Sequence, residues 1–286
     1  MATKNVIDHI YDALQGTINT QEILNFVRLG VPLSAFATLG VVEGMATVHK
    51  FGRTIAAGAA FGDVWLNGGV YVWPTVASKL EAISGAAADD DGGLGASKIT
   101  VSGLDANFNR IEEEITMNGL TVTSSTTQSF RRVNRAFVSE SGTYCSTTAG
   151  SNAGVITIRI AGAGATQCLL GFSDSVGRGQ TQIARYTTAV NETGILTSIN
   201  ANVAGTRSAH VSWFKREHAD DIVAPFLGAR RLIYEVDDLI GNISVQLPHN
   251  VKIPPKTDIW VTAHAASAAG STPVSAQFDI ECYTVS

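Results

Sequence analysis

The residues of this chain best suited to chemistry are a histidine and aspartate group, His210, His218, Asp220 and Asp221, and the run Asp89-Asp90-Asp91. Imidazole and carboxylate together form the ligand set of a zinc-type site, and a strand followed by a loop is enough to bring such groups together. Strand alternation, however, places His210 with Ser212, Phe214 and Arg216 on one face, and Glu217 to Asp221 has the composition of a solvated loop. No metal is expected there. Asp89-Asp90-Asp91-Gly92 offers carboxylates to Ca²⁺, but it lacks the alternating aspartates and distal glutamate of a calcium loop. Ala86 to Gly95 is expected to be an exposed loop. Glu112-Glu113-Glu114 could supply the two carboxylates of a glycoside hydrolase. On a strand Glu112 and Glu114 share one face and Glu113 takes the other, so a solvated face is the simpler reading.

Nucleotide and acyl-transfer signatures are missing. No pair of glycines flanks four residues before Lys-Ser/Thr, and Gly162-Ala163-Gly164 and Gly177-Arg178-Gly179 lack the third glycine of a dinucleotide fingerprint. Gly171-Phe172-Ser173-Asp174-Ser175 fails the nucleophile-elbow pattern at its last position. No catalytic residue and no cofactor is therefore expected. Trp65, Tyr71 and Trp73 form one aromatic group and Trp213 with Phe214 another, and both are read first as core.

The whole composition points the same way. Of 286 residues, 45% are hydrophobic and 16% charged, against roughly 25% charged in an average soluble domain. Ser, Thr, Asn, Gly and Ala must then cover much of the surface, which desolvates cheaply when broad faces pack together. A net charge of −5 argues against a nucleic-acid partner. The three cysteines, Cys145, Cys168 and Cys282, have no metal-like spacing and an odd count, which favours synthesis in a reducing compartment. Neither a signal-peptide pattern at Met1 to Asn5 nor an uninterrupted apolar run of about 18 residues is present, so no membrane partner is expected.

Three segments organise the chain. Ile7, Ile10, Tyr11 and Leu14 follow helical spacing, and Asn19 with Glu22 caps a second short helix that presents Ile23, Leu24 and Val27. Residues 1–44 are thus expected to form a helical N-terminal segment whose seven apolar residues face either a later domain of the same chain or, as an attachment arm, a partner. Residues 45–150 and 151–286 carry short β-prone runs between turn residues, and the expectation is mainly β, with two β-sandwich or jelly-roll-like domains. In the first block the candidate strands are Thr47 to Phe51, Val70 to Trp73, Ser97 to Val101 and Ile111 to Met117, with Asn118-Gly119 as a hairpin turn. Ser139 to Asn152 has the composition of a linker. The second block carries eight candidates, among them Val155 to Ile160, Thr181 to Tyr186, Gly194 to Val203, Ile259 to His264 and Gln277 to Tyr283.

His49-Lys50-Phe51-Gly52-Arg53, Asp63-Val64-Trp65 and Gly68-Gly69-Val70-Tyr71-Val72-Trp73-Pro74 resemble a family of virion proteins of tailed phages, many from aquatic bacteria. Val101 to Asn109, Glu112 and Ile115 to Gly119 are similar to that family's central signature, so the resemblance spans about residues 48–140. It implies a particle component and brings no catalytic residues with it. A decoration, collar or minor head or neck subunit is expected, made in the host bacterial cytoplasm and located in the virion. Its partners would be copies of itself, as a homotrimer or larger ring, and the capsid, portal or tail. A tail-fibre or tail-tip protein that binds the host surface is the alternative, and a glycan hydrolase stands behind it.

Overall fold

The computed structural model describes residues 44–146, 149–266 and 272–284, the side chains of 248–250 excepted. The expected helical arm, with Ile7, Ile10, Tyr11, Leu14, Ile23, Leu24 and Val27, lies outside these residues. Every regular element among the described residues is a strand. In chain order these are β1 (Met45–Ala57), β2 (Gly62–Asp63), β3 (Leu80–Ser84), β4 (Ala96–Leu104), β5 (Arg110–Thr116), β6 (Arg132–Ser141), β7 (Ile156–Ile160) and β8 (Thr166–Ser173). Then follow β9 (Val176–Thr181), β10 (Arg185–Thr187), β11 (Glu192–Val203), β12 (Ala209–Arg216), β13 (Arg231–Leu239), β14 (Gly241–Ile253), β15 (Asp258–Ala265) and β16 (Thr272–Thr284).

Two of the three sheets form a sandwich. One has the order β1-β16-β11-β14, and the other β10-β15-β12-β13 with β2 added on β15. Strand β16 shows why the sequence folds this way: Val274, Ala276, Phe278, Ile280 and Cys282 are buried while the residues between them are not. That period of two gives the strand one apolar face. Leu196, Ile199, Phe278 and Ile280 of the first sheet share a core with Val211, Trp213, Ile259 and Val261 of the second. At Gly52 the strand β1 lies so close to its neighbours that a Cβ would collide with the backbone of Ala184 and Val64.

The third sheet, β3-β7-β8-β9-β6-β4-β5, curls into a nearly closed barrel around Leu80, Ile99, Val101, Ile115, Met117, Val133, Ile156 and Leu170. Its two edges, β3 and β5, do not pair directly. The segment after β5 fills the gap by mimicking a strand. Thr123 and Thr126 donate backbone N–H to the carbonyls of Ala82 and Leu80 at 2.9 and 2.8 Å, and their hydroxyls accept from the N–H of the same two residues at 3.0 and 2.9 Å. On the other side Glu113 accepts from the N–H groups of Thr127 and Gln128 at 2.6 and 2.9 Å.

Several expectations change here. Only one of the two expected sandwiches is found among the described residues, because the other β region closes on itself as a barrel. Sheet membership also crosses residue 150: β7, β8 and β9 pair into the barrel, while β1 and β2 pair into the sandwich. The barrel is thus an insertion between β2 and β10, which chain position alone cannot reveal. Ser139 to Asn152 is not all linker, since β6 runs to Ser141. Val70 to Trp73 forms no strand, and Asn118-Gly119 does not join two paired strands. Gly119 sits at φ +55° in a local turn in which Thr121 N–H meets the Asn118 carbonyl at 2.9 Å, and the chain then enters the closing segment.

Candidate functional site

Between barrel and sandwich lies a polar and aromatic junction that the sequence showed only in fragments. Asp63 of β2 accepts the N–H of Tyr71 at 2.5 Å, and Trp65 donates its indole N–H to the Gly69 carbonyl at 3.1 Å, which folds residues 63–71 into a tight loop. Trp65, Tyr71, Trp73, Trp260 and Phe214 then follow one another with ring centroids 5.4, 5.0, 5.5 and 5.7 Å apart. Spacings of this kind suit edge-to-face and offset contacts. Trp260 of β15 therefore joins the two aromatic groups seen in the sequence, with Phe214 rather than Trp213 as the second end. Trp213 is buried in the sandwich core.

Cations line the same ladder. The Arg185 guanidinium lies 3.4 Å from the Tyr71 ring centroid, Arg132 lies over Trp73 at 5.1 Å, and Arg230 over Phe214 at 4.6 Å. Arg132 of β6 also grips Asp258 of β15 through two bonds of 2.9 and 3.1 Å and donates to the Pro74 carbonyl at 2.7 Å. Thr187 adds a 2.7 Å bond to the same carboxylate. Both partners of the ion pair are almost fully buried, so it holds barrel to sandwich at a desolvated point. Losing one partner there would strand a buried charge.

Of the residues considered for catalysis or metal binding, Asp89, His210, Asp220, Asp221 and the three glutamates are occupied elsewhere. Asp89 is fully buried, and its carboxylate accepts four bonds: from Ser84 Oγ at 2.5 Å and from the N–H groups of Ala96, Ala153 and Gly154 at 2.8, 2.6 and 3.0 Å. The segment Ala86 to Gly95 is a loop, as expected, with Ala87, Asp91, Gly92 and Leu94 exposed, but it turns Asp89 and Gly95 inward. Gly95 is required beside that carboxylate, because a Cβ would collide with Asp89 Oδ1. His210 bonds Asp237 at 2.7 Å and stacks on His264, Asp220 pairs with Lys256 at 2.8 Å, and Asp221 accepts the N–H of Leu227 at 2.5 Å. The structure therefore does not bring His210, Asp220 and Asp221 together around a common point. Glu112 and Glu114 hold Ser102 and Lys98, and Glu113 seals the barrel on the other face. All three cysteines are free, Cys168 and Cys282 buried and Cys145 exposed.

Large apolar side chains, by contrast, remain exposed at many places on the surface, among them Ile55, Leu94, Tyr144 and Ile240, and in two short rows. Tyr71 and Trp73 turn inward, which leaves Val70 and Val72 outward with 70% and 65% of their area accessible, and Val76 follows. The loop after β12 exposes Val223, Phe226 and Leu227, at 72%, 58% and 74%. Asp221 pins both ends of that loop, through Val223 N–H as well as Leu227 N–H.

No known protein family matches the chain, and no curated protein does. Among solved structures, infectious bursal disease virus strain Gx aligns over 85% of this chain and 73% of that one, at 10% identity and a TM-score of 0.25. A VP2 subviral particle of the same virus covers 85% and 78%, at 10% identity and a TM-score of 0.20. The Cry4Aa toxin of Bacillus thuringiensis covers 88% and 62%, at 8% identity and 0.20. Scores this low carry no conclusion about fold or function.

Proposed function

We propose that this chain is a non-enzymatic structural subunit of a tailed-phage particle, a decoration, collar or minor head or neck protein that packs against copies of itself and against capsid, portal or tail. The observation that carries the reading is the contrast at the surface. Groups capable of chemistry, such as Asp89, Glu113, Arg132 and Asp258, are used to fasten the fold, while Val70, Val72, Val223, Phe226 and Leu227 stand in water. Exposed apolar rows on a weakly charged surface suit a protein whose work is association. The resemblance of residues 48–140 to tailed-phage virion proteins supports the particle class. Ile7, Ile10, Tyr11, Leu14, Ile23, Leu24 and Val27 form the attachment arm in this reading.

Gold-labelled antibody on purified particles tests it directly, with label expected on the head or neck. Label confined to fibres would replace it with the host-binding reading, and particles without label would overturn both. Light scattering on the purified protein should give a trimer or larger ring, and a persistent 30 kDa monomer would count against self-association. Deletion of residues 1–30 is expected to leave a folded β protein that no longer joins particles. Release of reducing ends from host polysaccharide would favour the hydrolase instead.

A further inference from the structure

Strand β1 is an edge of its sheet, paired on one side by β16 and open on the other toward the barrel wall. Along that open side runs a cleft of about 400 Å³ whose lining includes His49, Lys50, Arg110, Glu112, Asn134 and Arg135. A hollow of about 360 Å³ is also lined by His49, Lys50 and Arg135, here with Gln180. Of the charges in the lining, His49 and Arg110 face a carboxylate, while Glu112 holds only a hydroxyl and leaves its own negative charge on the cleft wall. His49 bonds Asp279 at 2.6 Å, Arg110 bonds Glu192 at 2.6 Å, and Glu112 accepts from the Ser102 hydroxyl.

Lys50 and Arg135 are different. Neither has a carboxylate within ion-pair distance among the described residues. Lys50, only 7% exposed, donates to the Asn134 carbonyl, and Arg135 donates to the Gln180 side-chain carbonyl at 2.8 Å. A third cation, Arg185, is buried nearby and donates to the Gln167 carbonyl. Burial first, then the fields of Arg185 and Arg135, bring the Lys50 pKa down from 10.5 to about 7. A buried ammonium among like charges with only neutral acceptors is an unfavourable arrangement that an anion would reverse.

We propose that this cleft binds a small oxyanion, free or as the charged group of a larger ligand, through the Lys50 ammonium and the Arg135 guanidinium. Arg135 at the mouth would receive the ligand from water, and Lys50 would complete the contact inside. The site is independent of the virion reading, since it rests on the cleft alone.

Sulfate is the probe of choice because its charge is constant across the pH range of interest. Thermal unfolding of the full chain at pH 6.5, with chloride keeping ionic strength fixed, should show a saturable rise in Tm with sulfate. Lys50→Met and Arg135→Gln should each weaken the apparent affinity at least tenfold, while Arg178→Gln, on β9 beside Ser173, should not. Arg135 is exposed, so its variant keeps the fold whatever happens at Lys50. Acetate in place of sulfate distinguishes a planar carboxylate from a tetrahedral anion, and saturable binding of either supports the site. A response that does not saturate with either anion, or that is equal in wild type and both cleft variants, overturns it.

Discussion

In the sandwich, β16 contributes Val274, Ala276, Phe278, Ile280 and Cys282 to a dry interface, and the sheets are held by what these residues exclude. In the barrel an apolar filling is also present, but the closure depends on side chains that replace missing backbone partners: Thr123 and Thr126 on β3, Glu113 on the closing segment, and Asp89 on three strands' connections. The difference teaches where each half is vulnerable. Apolar contact is distributed and degrades gradually, whereas a buried carboxylate with four donors fails at one atom group.

The largest effect should therefore come from Asp89→Ala. Stranding several buried donors at about 1–3 kcal/mol each, with partial relaxation, gives a loss of about 4 kcal/mol or more, or a Tm lower by roughly 10 °C at about 2–4 °C per kcal/mol. Calorimetry would check it, and a loss under about 1 kcal/mol would erase the contrast between the halves. Next comes Arg132→Met at the seam, expected to cost about 3–5 kcal/mol because Asp258 stays buried and unpaired. Combining it with Asp258→Leu should recover much of that loss, which denaturant titration of both variants would reveal. A recovery near zero would mean that the pair's neighbours, not its charge balance, hold barrel to sandwich.

Lys50→Met sharpens the comparison from the other direction, as a buried charge that weakens its own seam. Because the folded pKa of Lys50 is depressed to about 7, the unfolded chain holds more protons between that pH and 10.5, and the native state gains stability as pH rises. The cost of the charge is complete below pH 7 and fades above it by up to about 1.4 kcal/mol per pH unit. Lys50→Met should thus raise Tm at pH 6.5, with that advantage reduced by about half at pH 9 and gone only near the unfolded value of 10.5. Only the difference from wild type isolates the effect, since burial holds the Cys168 thiol up at about 12 and its linkage runs the opposite way. Smallest is Ile280→Val in the sandwich, with about 0.5–1.5 kcal/mol expected from one lost methylene.

The sandwich was the more legible half, for the same physical reason. Alternation in β11 and β16 follows from one face meeting another, and local sequence records that face. Strand β6 was missed because Arg132 and Asn134 interrupt any apolar period, and they are tolerated only because Asp258 and Thr187 wait across the seam. Val70 to Trp73 has strand composition, but its partners are rings and a carboxylate, not another backbone. The aspartate run misled in a similar way, since nothing local shows that Ala153 and Gly154 will supply donors to Asp89. Trp260, the link in the aromatic ladder, carried no signal apart from its type.

The insertion of the barrel between β2 and β10 has a consequence during synthesis. All seven barrel strands have left the ribosome once residue 181 has cleared the tunnel, whereas β1, made before any of them, waits for β16 at residues 272–284. At about 5–20 residues per second, that is a delay on the order of 5–20 s in which a finished barrel hangs between an unpaired first strand and a growing chain. During this interval the apolar side of β1, including Val48, has no sheet to cover it, and neighbouring nascent chains on one message present the same strand. A chaperone that holds β1, or slow spacing of ribosomes, would then govern yield more than the stability of the finished protein does.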